Sequence, residues 1–225
     1  MEEKELMKLI LGLSKDPHRK STLQLALEVA RNKCGRLEDG TISYEAFCFR
    51  NNSVDSLMHG EKPNICSDEA DLFTSLFLYL NCLEQIGTLF CDSTNKNGGT
   101  ISNGIEKALI EFAFDLLSNE QRGALKKLRH SLAHNFGLVN YNEFRPDHKY
   151  LLIFDENKNI IHPPCHKWNG DYSDKSEDTS TKIYVFSVIR LVEQIIQNLQ
   201  DLYANGKLNF NISVDEVKAR FTILT

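Results

Sequence analysis

The stretch "SNEQRGALKKLRHSLAHNFG", residues 118–137, carries a helix signal and most of the candidate functional side chains. Ser118 and Gln121 form a capping box, which predicts that a helix begins at residue 119. Gly137 is a residue at which such a helix commonly ends. Four apolar side chains recur at helical spacing and are expected to face the core: Leu125, Leu128, Leu132 and Phe136. The pattern therefore predicts an amphipathic helix over 119–136.

Three side chains near the end of this helix are suited to chemistry: Arg129, His130 and His134. At about 100° per residue, the two histidines lie one turn apart on the side opposite the apolar stripe. Arg129 flanks the stripe, roughly 140° around the helix from His134. One straight helix does not bring Arg129 and His134 together, so the spacing indicates a site at a helix end or one assembled from two chains.

The same helix is locally basic, although the whole chain has a net charge of −5. The helix contains four basic residues, Arg122, Lys126, Lys127 and Arg129, and one acidic residue, Glu120. A basic face beside histidines suits a phosphate ligand. We therefore take Arg122, Lys126 and Lys127 as candidate nucleic-acid contacts. Alternatively, the two lysines only form a solvated helix face.

Helical patterns cover most of the remaining sequence. Further helices are expected over 2–14, 20–34, 43–50 and 181–204. Another is expected to begin at an N-cap at Ser67, and one is expected to begin at Ser213. A capping box formed by Asn103 and Glu106 predicts a helix that ends at about Leu117. The run "KYLLIFDENKNIIHPP" has apolar segments on both sides of a turn and predicts a β-hairpin at 149–162. The prediction is a mainly α protein, a helical bundle in one domain over 1–225. It has an N-terminal helical extension over 1–60, a core over 67–205, and the hairpin inserted after the motif helix.

Composition and charge narrow the range of functions. Apolar residues make up 41% and charged residues 25% of the 225 residues, which is ordinary for a globular protein and unlike a disordered chain. The acidic balance provides no global basic field for nucleic acid, so any such role depends on a local patch. No glycine-rich phosphate-binding fingerprint occurs, which leaves nucleotide binding without support.

Metal and membrane roles are not favoured either. The six cysteines form no CxxC pair, and the "HPPCH" segment at 162–166 has no second ligand pair at zinc-finger spacing. The apolar segment 72–91 is interrupted by Asn81, Glu84 and Gln85, which argues against a membrane span. The N-terminal residues lack the pattern of a secretory signal. We expect a cytoplasmic protein with no membrane association, no bound metal and no other cofactor.

The spacing of Arg129 and His134 resembles the R-x4–6-H signature of the HEPN families, with a polar residue directly after the arginine. In "LRHSLAHNFG", residues 128–137, His130 takes the position that asparagine or aspartate often holds in those families. Two apolar helices before the motif and a long helix after it are also similar to HEPN domains, and the resemblance covers about 67–205. One toxin subfamily has a tyrosine two residues after the histidine, where this chain has Phe136, so modification of such a tyrosine does not carry over.

The resemblance implies a HEPN-type bundle that cleaves RNA without a metal, as a homodimer whose two motifs share one cleft. In such an endoribonuclease the 2′-OH of RNA attacks the adjacent phosphate, so DNA resists cleavage. Histidine side chains titrate near neutral pH, which suits His134 to general acid–base catalysis. Arg129 is suited to hold the charge that develops on the phosphorane.

Other residues are candidates for supporting roles in such a site. His130 is a candidate for phosphate binding, and Asn135 for capping or orientation. Glu84, a charge among apolar residues, is a candidate partner for Arg129 or sits at an exposed helix edge. A toxin or a defence or stress ribonuclease, controlled by an antitoxin-like protein, is one biological role that the resemblance suggests.

Two other functions remain open. The same helical domain can bind RNA or a protein through its cleft without catalysis, because a fold does not imply a function. His130 and His134, four residues apart, can instead chelate one metal ion in a helical interaction protein, although neither a third ligand nor an H-E-x-x-H motif is evident. Cleavage of RNA in EDTA by the wild type, but not by Arg129 or His134 variants, distinguishes these functions.

Overall fold

The computed structural model describes residues 2–16, 19–34, 65–94, 103–140, 148–155 and 159–224, and these residues are mostly helical. The α-helices among them are α1 (Glu3–Ile10), α2 (Thr22–Lys33), α3 (Ile65–Leu89), α4 (Gly104–Phe112), α5 (Asn119–Asn135), α6 (Val185–Ala204) and α7 (Val214–Phe221). The mainly α class predicted from the sequence is therefore confirmed for the described residues.

Short strands lie between these helices. They are β1 (Arg19–Ser21), β2 (Phe90–Asp92), β3 (Val139–Asn140), β4 (His148–Ile153), β5 (Ile161–His162), β6 (Thr181–Tyr184), β7 (Leu208–Phe210) and β8 (Thr222–Leu224). Two short 3₁₀ helices cover Phe114–Leu116 and Glu177–Thr179.

The first two helices are shorter than predicted. α1 ends at Ile10 rather than near residue 14, and Gly12 follows in the left-handed conformation with a φ of 73°. α2 begins at Thr22 because β1 takes the three residues before it. The helix predicted at 43–50 lies outside the described residues.

The capping signals of the next two helices have different outcomes. α3 begins at Ile65, so Ser67 lies within the helix and its prediction as an N-cap was wrong. Asn103 does cap α4, because its side-chain oxygen accepts a hydrogen bond from the N–H of Glu106 at 3.2 Å. α4 ends at Phe112 rather than near Leu117, and a 3₁₀ turn follows it.

The described residues form two compact units, and those of the first fall within the ranges Met1–Ala30, Leu78–Ser118 and Val192–Thr225. The core of this unit is apolar, and its fully buried side chains include Leu6, Ile10, Leu83, Ile86 and Phe90. Two antiparallel strand pairs, β1 with β8 and β2 with β7, join segments that are distant in the chain.

Two glycines allow α3 and α4 to pack at backbone distance within the first unit. A Cβ atom added to Gly87 would lie 1.8 Å from the carbonyl oxygen of Gly104. A Cβ atom added to Gly104 would lie 2.3 Å from the carbonyl oxygen of Glu84. Only glycine fits such a close approach of two backbones.

The second unit contains Arg31–Phe77 and Asn119–Leu191, and it carries the motif helix. Its four-stranded sheet has the order β3–β4–β6–β5. α5 is tied to this sheet by two hydrogen bonds: the Tyr150 hydroxyl donates to the carbonyl oxygen of Ala124 at 3.1 Å, and the Gln121 amide donates to that of Ile161 at 3.2 Å.

The prediction of a β-hairpin at 149–162 was wrong. β4 and β5 do form in this stretch, but each pairs with β6 rather than with the other, β4 in parallel and β5 antiparallel. Residues 181–184 were predicted to begin the long helix and instead form β6. Thr181 and Ile183 are buried on one face of β6, which is the alternation of a strand, and α6 begins only at Val185.

The single domain over 1–225, with its extension over 1–60 and its core over 67–205, stays a prediction. α1 and most of α2 belong to the first unit, and α5 belongs to the second. Within the described residues, no helix is both long enough and apolar enough to cross a bilayer.

Candidate active site

α5 presents its two candidate histidines outward because its opposite face is buried. Leu125, Leu128 and Leu132 are fully buried, as their spacing predicts. The hydrogen bond from Tyr150 to Ala124 fixes the same side of the helix to the sheet. These contacts set the rotation of α5 about its axis and so decide which residues reach solvent.

His130 and His134 lie together on the outward face. Both residues are exposed. Their ring centroids are 4.4 Å apart, and the ring planes are inclined by 50°. This is the adjacency that an i, i+4 spacing predicts. Two neighbouring imidazoles offer nitrogen atoms for proton transfer, for contact with a phosphate or for a metal ion.

Arg129 lies at the flank of the buried stripe. The residue is half-buried, and its Nε atom is fully buried, which agrees with a packed arginine stem. Arg129 and His134 leave α5 in directions roughly 140° apart. The helix therefore brings His130 and His134 together, but it does not by itself direct Arg129 and His134 at one phosphate.

Arg122 is not part of an exposed basic face, and its contact with nucleic acid stays a prediction. Only 6% of the residue is exposed, and its guanidinium donates a hydrogen bond to the side-chain oxygen of Asn119. Position 122 lies nearly two turns before Arg129 on the same flank, so its side chain packs beside the apolar stripe. Lys126 is half-buried, and its contact with nucleic acid stays a prediction.

Lys127 points from α5 toward the sheet. Its Nζ atom lies 3.3 Å from Nε2 of His148, the first residue of β4. The Nδ1 atom of His148 lies 3.4 Å from the Thr181 hydroxyl on β6. The His148 ring also stacks on that of Tyr150, with centroids 5.6 Å apart and planes inclined by 18°. Two neighbouring strands thus hold His148 beside the helix face that carries Lys127.

His148 was missed at the sequence level. It lies 21 positions after Lys127, outside the motif and directly before the segment that was predicted as a hairpin. The one available signal was its place at the start of the apolar run "KYLLIF". Its position beside Lys127 depends on the packing of α5 against β4, as in the hydrogen bond from Tyr150 to Ala124, which no local pattern contains.

A cleft of about 320 Å³ lies next to the Lys127–His148 contact. The residues that line it come from α5, from the sheet and from the loop before β6. They include His148, Lys149, Lys167, Trp168, Thr179 and Thr181. The cleft therefore combines ammonium groups, an imidazole and hydroxyls at one concave surface.

Hydrogen bonds hold one wall of this cleft in place. The Lys149 ammonium lies 3.3 Å from the Asp174 carboxylate and donates to the carbonyl oxygen of Ser176 at 2.9 Å. The Thr179 hydroxyl donates to Asp174 at 2.5 Å and lowers the pKa of that carboxyl group, and the N–H of Ser176 acts in the same direction. Trp168 is buried and donates its indole N–H to the carbonyl oxygen of Asp171 at 3.0 Å.

The end of α5 differs from the prediction at Phe136. This residue was expected in the core, but it is 73% exposed and has a φ of 48°. Its N–H donates to the carbonyl oxygen of Leu132 at 3.2 Å, so Phe136 rather than Gly137 is the left-handed residue that ends the helix. A bulky residue with positive φ is uncommon. Asn135 is exposed and directly follows His134.

Glu84 lies on α3 in the first unit, whereas Arg129 belongs to the second. The residue is half-buried, and its Oε2 atom is fully buried, so Glu84 does not sit at an exposed helix edge. Its pairing with Arg129 stays a prediction.

The outward histidines form a two-ligand arrangement only. Among the residues that the structure describes, no group of three or more His, Cys, Asp or Glu side chains is arranged to hold a metal ion. A metal at His130 and His134 would therefore need further ligands from outside this group.

Comparison of the chain with family models, with curated proteins and with solved structures gives no match. The resemblance to HEPN proteins therefore rests on the motif and its helical setting. The function has to be argued from the chemistry of the site itself.

Proposed function

We propose that this chain is a metal-independent endoribonuclease of the HEPN type, in which His134 and Arg129 act on a phosphodiester bond. The observation that carries the proposal is the exposed His130–His134 pair on a helix whose opposite face is buried. The order of helices supports it, because α3 and α4 precede the motif helix and α6 follows it. RNA supplies its own nucleophile, so the reaction needs no metal.

The reaction begins when His134 takes the proton of the 2′-OH and the 2′ oxygen attacks the adjacent phosphorus. The bond from phosphorus to the 5′ oxygen then breaks, that oxygen takes a proton from solvent water, and His134 returns its own proton to the solvent. The products are a 2′,3′-cyclic phosphate and a 5′-OH. His130, with its ring centroid 4.4 Å from that of His134, contacts the same phosphate.

Arg129 stabilises the phosphorane, and in this proposal it comes from a second copy of the chain. Because Arg129 and His134 leave one helix roughly 140° apart, two α5 ends that face each other in a symmetric dimer supply them from opposite sides of the phosphate. Phe136, 73% exposed and two residues after His134, suits burial in such an interface.

The test is cleavage of single-stranded RNA in EDTA. The wild type is expected to cut RNA and to leave DNA of the same sequence intact. His134→Ala is expected to lower the rate by about 10²–10⁴-fold, the usual contribution of a general acid or base. Arg129→Ala should have a comparable effect, and Arg129→Lys should recover only part of the rate, because ammonium lacks the planar fork of guanidinium.

The matched control is His166→Ala, which removes an exposed histidine outside the motif helix and should keep the wild-type rate. RNA binding without cleavage by the wild type would identify a binding module instead. Loss of cleavage in EDTA and its recovery with Zn²⁺ would identify a metal site at His130 and His134. A His134→Ala protein that cuts as fast as the wild type contradicts the proposal.

A further inference from the structure

The cleft beside α5 has an excess of positive groups. Lys149 and Lys167 line it, and Lys127, which is not itself a lining residue, has its Nζ atom 3.3 Å from the lining residue His148. Among the described residues that line the cleft, Glu120 is the acidic one. The nearby Asp174 carboxylate is matched by Lys149 at 3.3 Å. With Lys149 matched, Lys167 in the lining and Lys127 beside His148 face the single carboxylate of Glu120, and this excess of one positive charge favours an anion.

The lining also supplies a neutral donor that suits a phosphate. Thr181 contributes its hydroxyl group to this concave surface, whereas the hydroxyl of Thr179 already donates to Asp174. The Thr181 hydroxyl lies 3.4 Å from Nδ1 of His148, so this donor and the imidazole are held together on adjacent strands. Charged and neutral donors around one concavity are the arrangement that binds phosphate oxygens.

Lys127 and His134 lie on one face of α5. Seven residues amount to nearly two turns, so the two positions differ by about 20° around the helix and about 10 Å along it. His130 lies between them on the same outward side. This face leads from the proposed catalytic histidine past Lys127 to Glu120, the residue by which α5 lines the cleft, without crossing the buried stripe.

We infer that the cleft binds a backbone phosphate of single-stranded RNA close to the cleaved bond, with Lys127, Lys167 and His148 as its contacts. The distance of about 10 Å along α5 between Lys127 and His134 corresponds to roughly three stacked nucleotides at 3.4 Å each along a strand. A volume of about 320 Å³ accommodates the phosphate and sugar of one nucleotide. The identity of the ligand as RNA rests on the proposed function, whereas the cleft and its charge do not.

The experiment measures binding of a fluorescein-labelled decamer of 2′-O-methyluridine by fluorescence anisotropy in a salt series. This probe lacks the 2′-OH nucleophile, so the wild-type protein binds it without cutting it. Lys127→Gln and Lys167→Gln are each expected to weaken binding several-fold and to reduce the salt slope by about 0.7 for the lost phosphate contact.

The matched control is Lys175→Gln. It makes the same change of charge at an exposed residue that does not line the cleft, so it should bind like the wild type. Circular dichroism and the Tm of each variant establish that it is folded. Lys167 is itself exposed, so its replacement tests the cleft without disturbing the core.

The outcomes separate this inference from the proposed function. Equal affinities and salt slopes for the wild type, Lys127→Gln and Lys167→Gln overturn the inference even if the wild type cleaves RNA. A weakening by Lys175→Gln equal to that of Lys167→Gln also overturns it, because the effect would then be one of net charge. A protein that binds the decamer through Lys127 and Lys167 but leaves RNA intact upholds the cleft and overturns the ribonuclease.

Discussion

The imidazole rings of His130 and His134 lie one turn apart on the outward face of α5, with their centroids 4.4 Å apart. Two imidazoles at this distance are able to share a phosphate, or to share a metal ion through one nitrogen of each ring. The two uses compete for the same nitrogen atoms. The response of the protein to added metal therefore separates the ribonuclease from the metal-site alternative.

We predict that Zn²⁺ inhibits RNA cleavage rather than supporting it, because the ion occupies the nitrogens that act on the phosphate. His130→Ala should keep more activity than His134→Ala and should lose most of the inhibition, since one imidazole alone chelates weakly. The measurement is the initial rate in EDTA and in a Zn²⁺ titration. Activation of the wild type by Zn²⁺ would contradict this prediction.

A second prediction concerns the left-handed residue that ends α5. Phe136→Gly should be more stable than Phe136→Ala by about 1 kcal/mol, because both variants lose the ring but only glycine adopts a φ near 48° without strain. This order is the reverse of the order within a helix. Urea unfolding of the two variants measures the difference.

Gly137→Ala is the control for that assignment. An added Cβ at Gly137 meets no atom closer than 3.7 Å, and the residue has no positive φ, so stability should change little. If Gly137→Ala instead destabilises the protein more than Phe136→Ala does, then Gly137 is the left-handed residue, at the helix end that the sequence pattern predicted.

Local sequence patterns predicted the features that depend on contacts between residues a few positions apart. The stripe of Leu125, Leu128 and Leu132 and the cap at Asn103 depend on helical periodicity and on one side-chain contact three residues away. The adjacency of His130 and His134 follows from the same periodicity.

The features that were missed depend on contacts between distant segments. β6 pairs with β4, about thirty residues earlier in the chain. The sequence at 181–184 also fits the first turn of a helix, and only this distant pairing makes it a strand. Arg122 was grouped with the other basic residues of the helix by its charge, yet its side chain is buried at the flank of the apolar stripe. His148 lies beside Lys127 because α5 packs against β4, a contact between segments that are far apart in the sequence.

A third prediction concerns the close approach of α3 and α4. Gly87→Ala should destabilise the fold by about 3 kcal/mol or more, because the new Cβ would lie 1.8 Å from the carbonyl oxygen of Gly104 and a backbone would have to move. Gly123→Ala is the control within α5. Its Cβ would meet nothing within 4 Å, so better helix propensity should raise stability by about 1 kcal/mol. Thermal unfolding of both variants is the measurement, and equal effects would contradict the close packing.

A fourth prediction concerns pH and the wall of the cleft. The pKa of Asp174 is lowered in the folded protein by the Thr179 hydroxyl and the Ser176 N–H. Its carboxylate therefore stabilises the fold above the ordinary carboxyl pKa of about 3.9, and this contribution is lost as the pH falls through the lower folded value. Asp174→Asn should lower the Tm at neutral pH and lower it much less at strongly acidic pH. Asp155→Asn, at an exposed carboxylate, is the control; a difference for Asp174→Asn that is independent of pH would contradict the assignment.

The last prediction tests whether two chains build one site. If Arg129 of one copy acts with His134 of the other, mixing inactive Arg129→Ala and His134→Ala proteins should restore activity. After subunit exchange half of the dimers are mixed, and each mixed dimer has one intact site of two, so about a quarter of the wild-type rate is expected. If both groups come from one chain, every site in a mixed dimer lacks one of them and no activity returns. Rates before and after mixing, with light scattering to establish the dimer, are the measurement. A monomer, or a mixture as inactive as its components, would contradict the composite site.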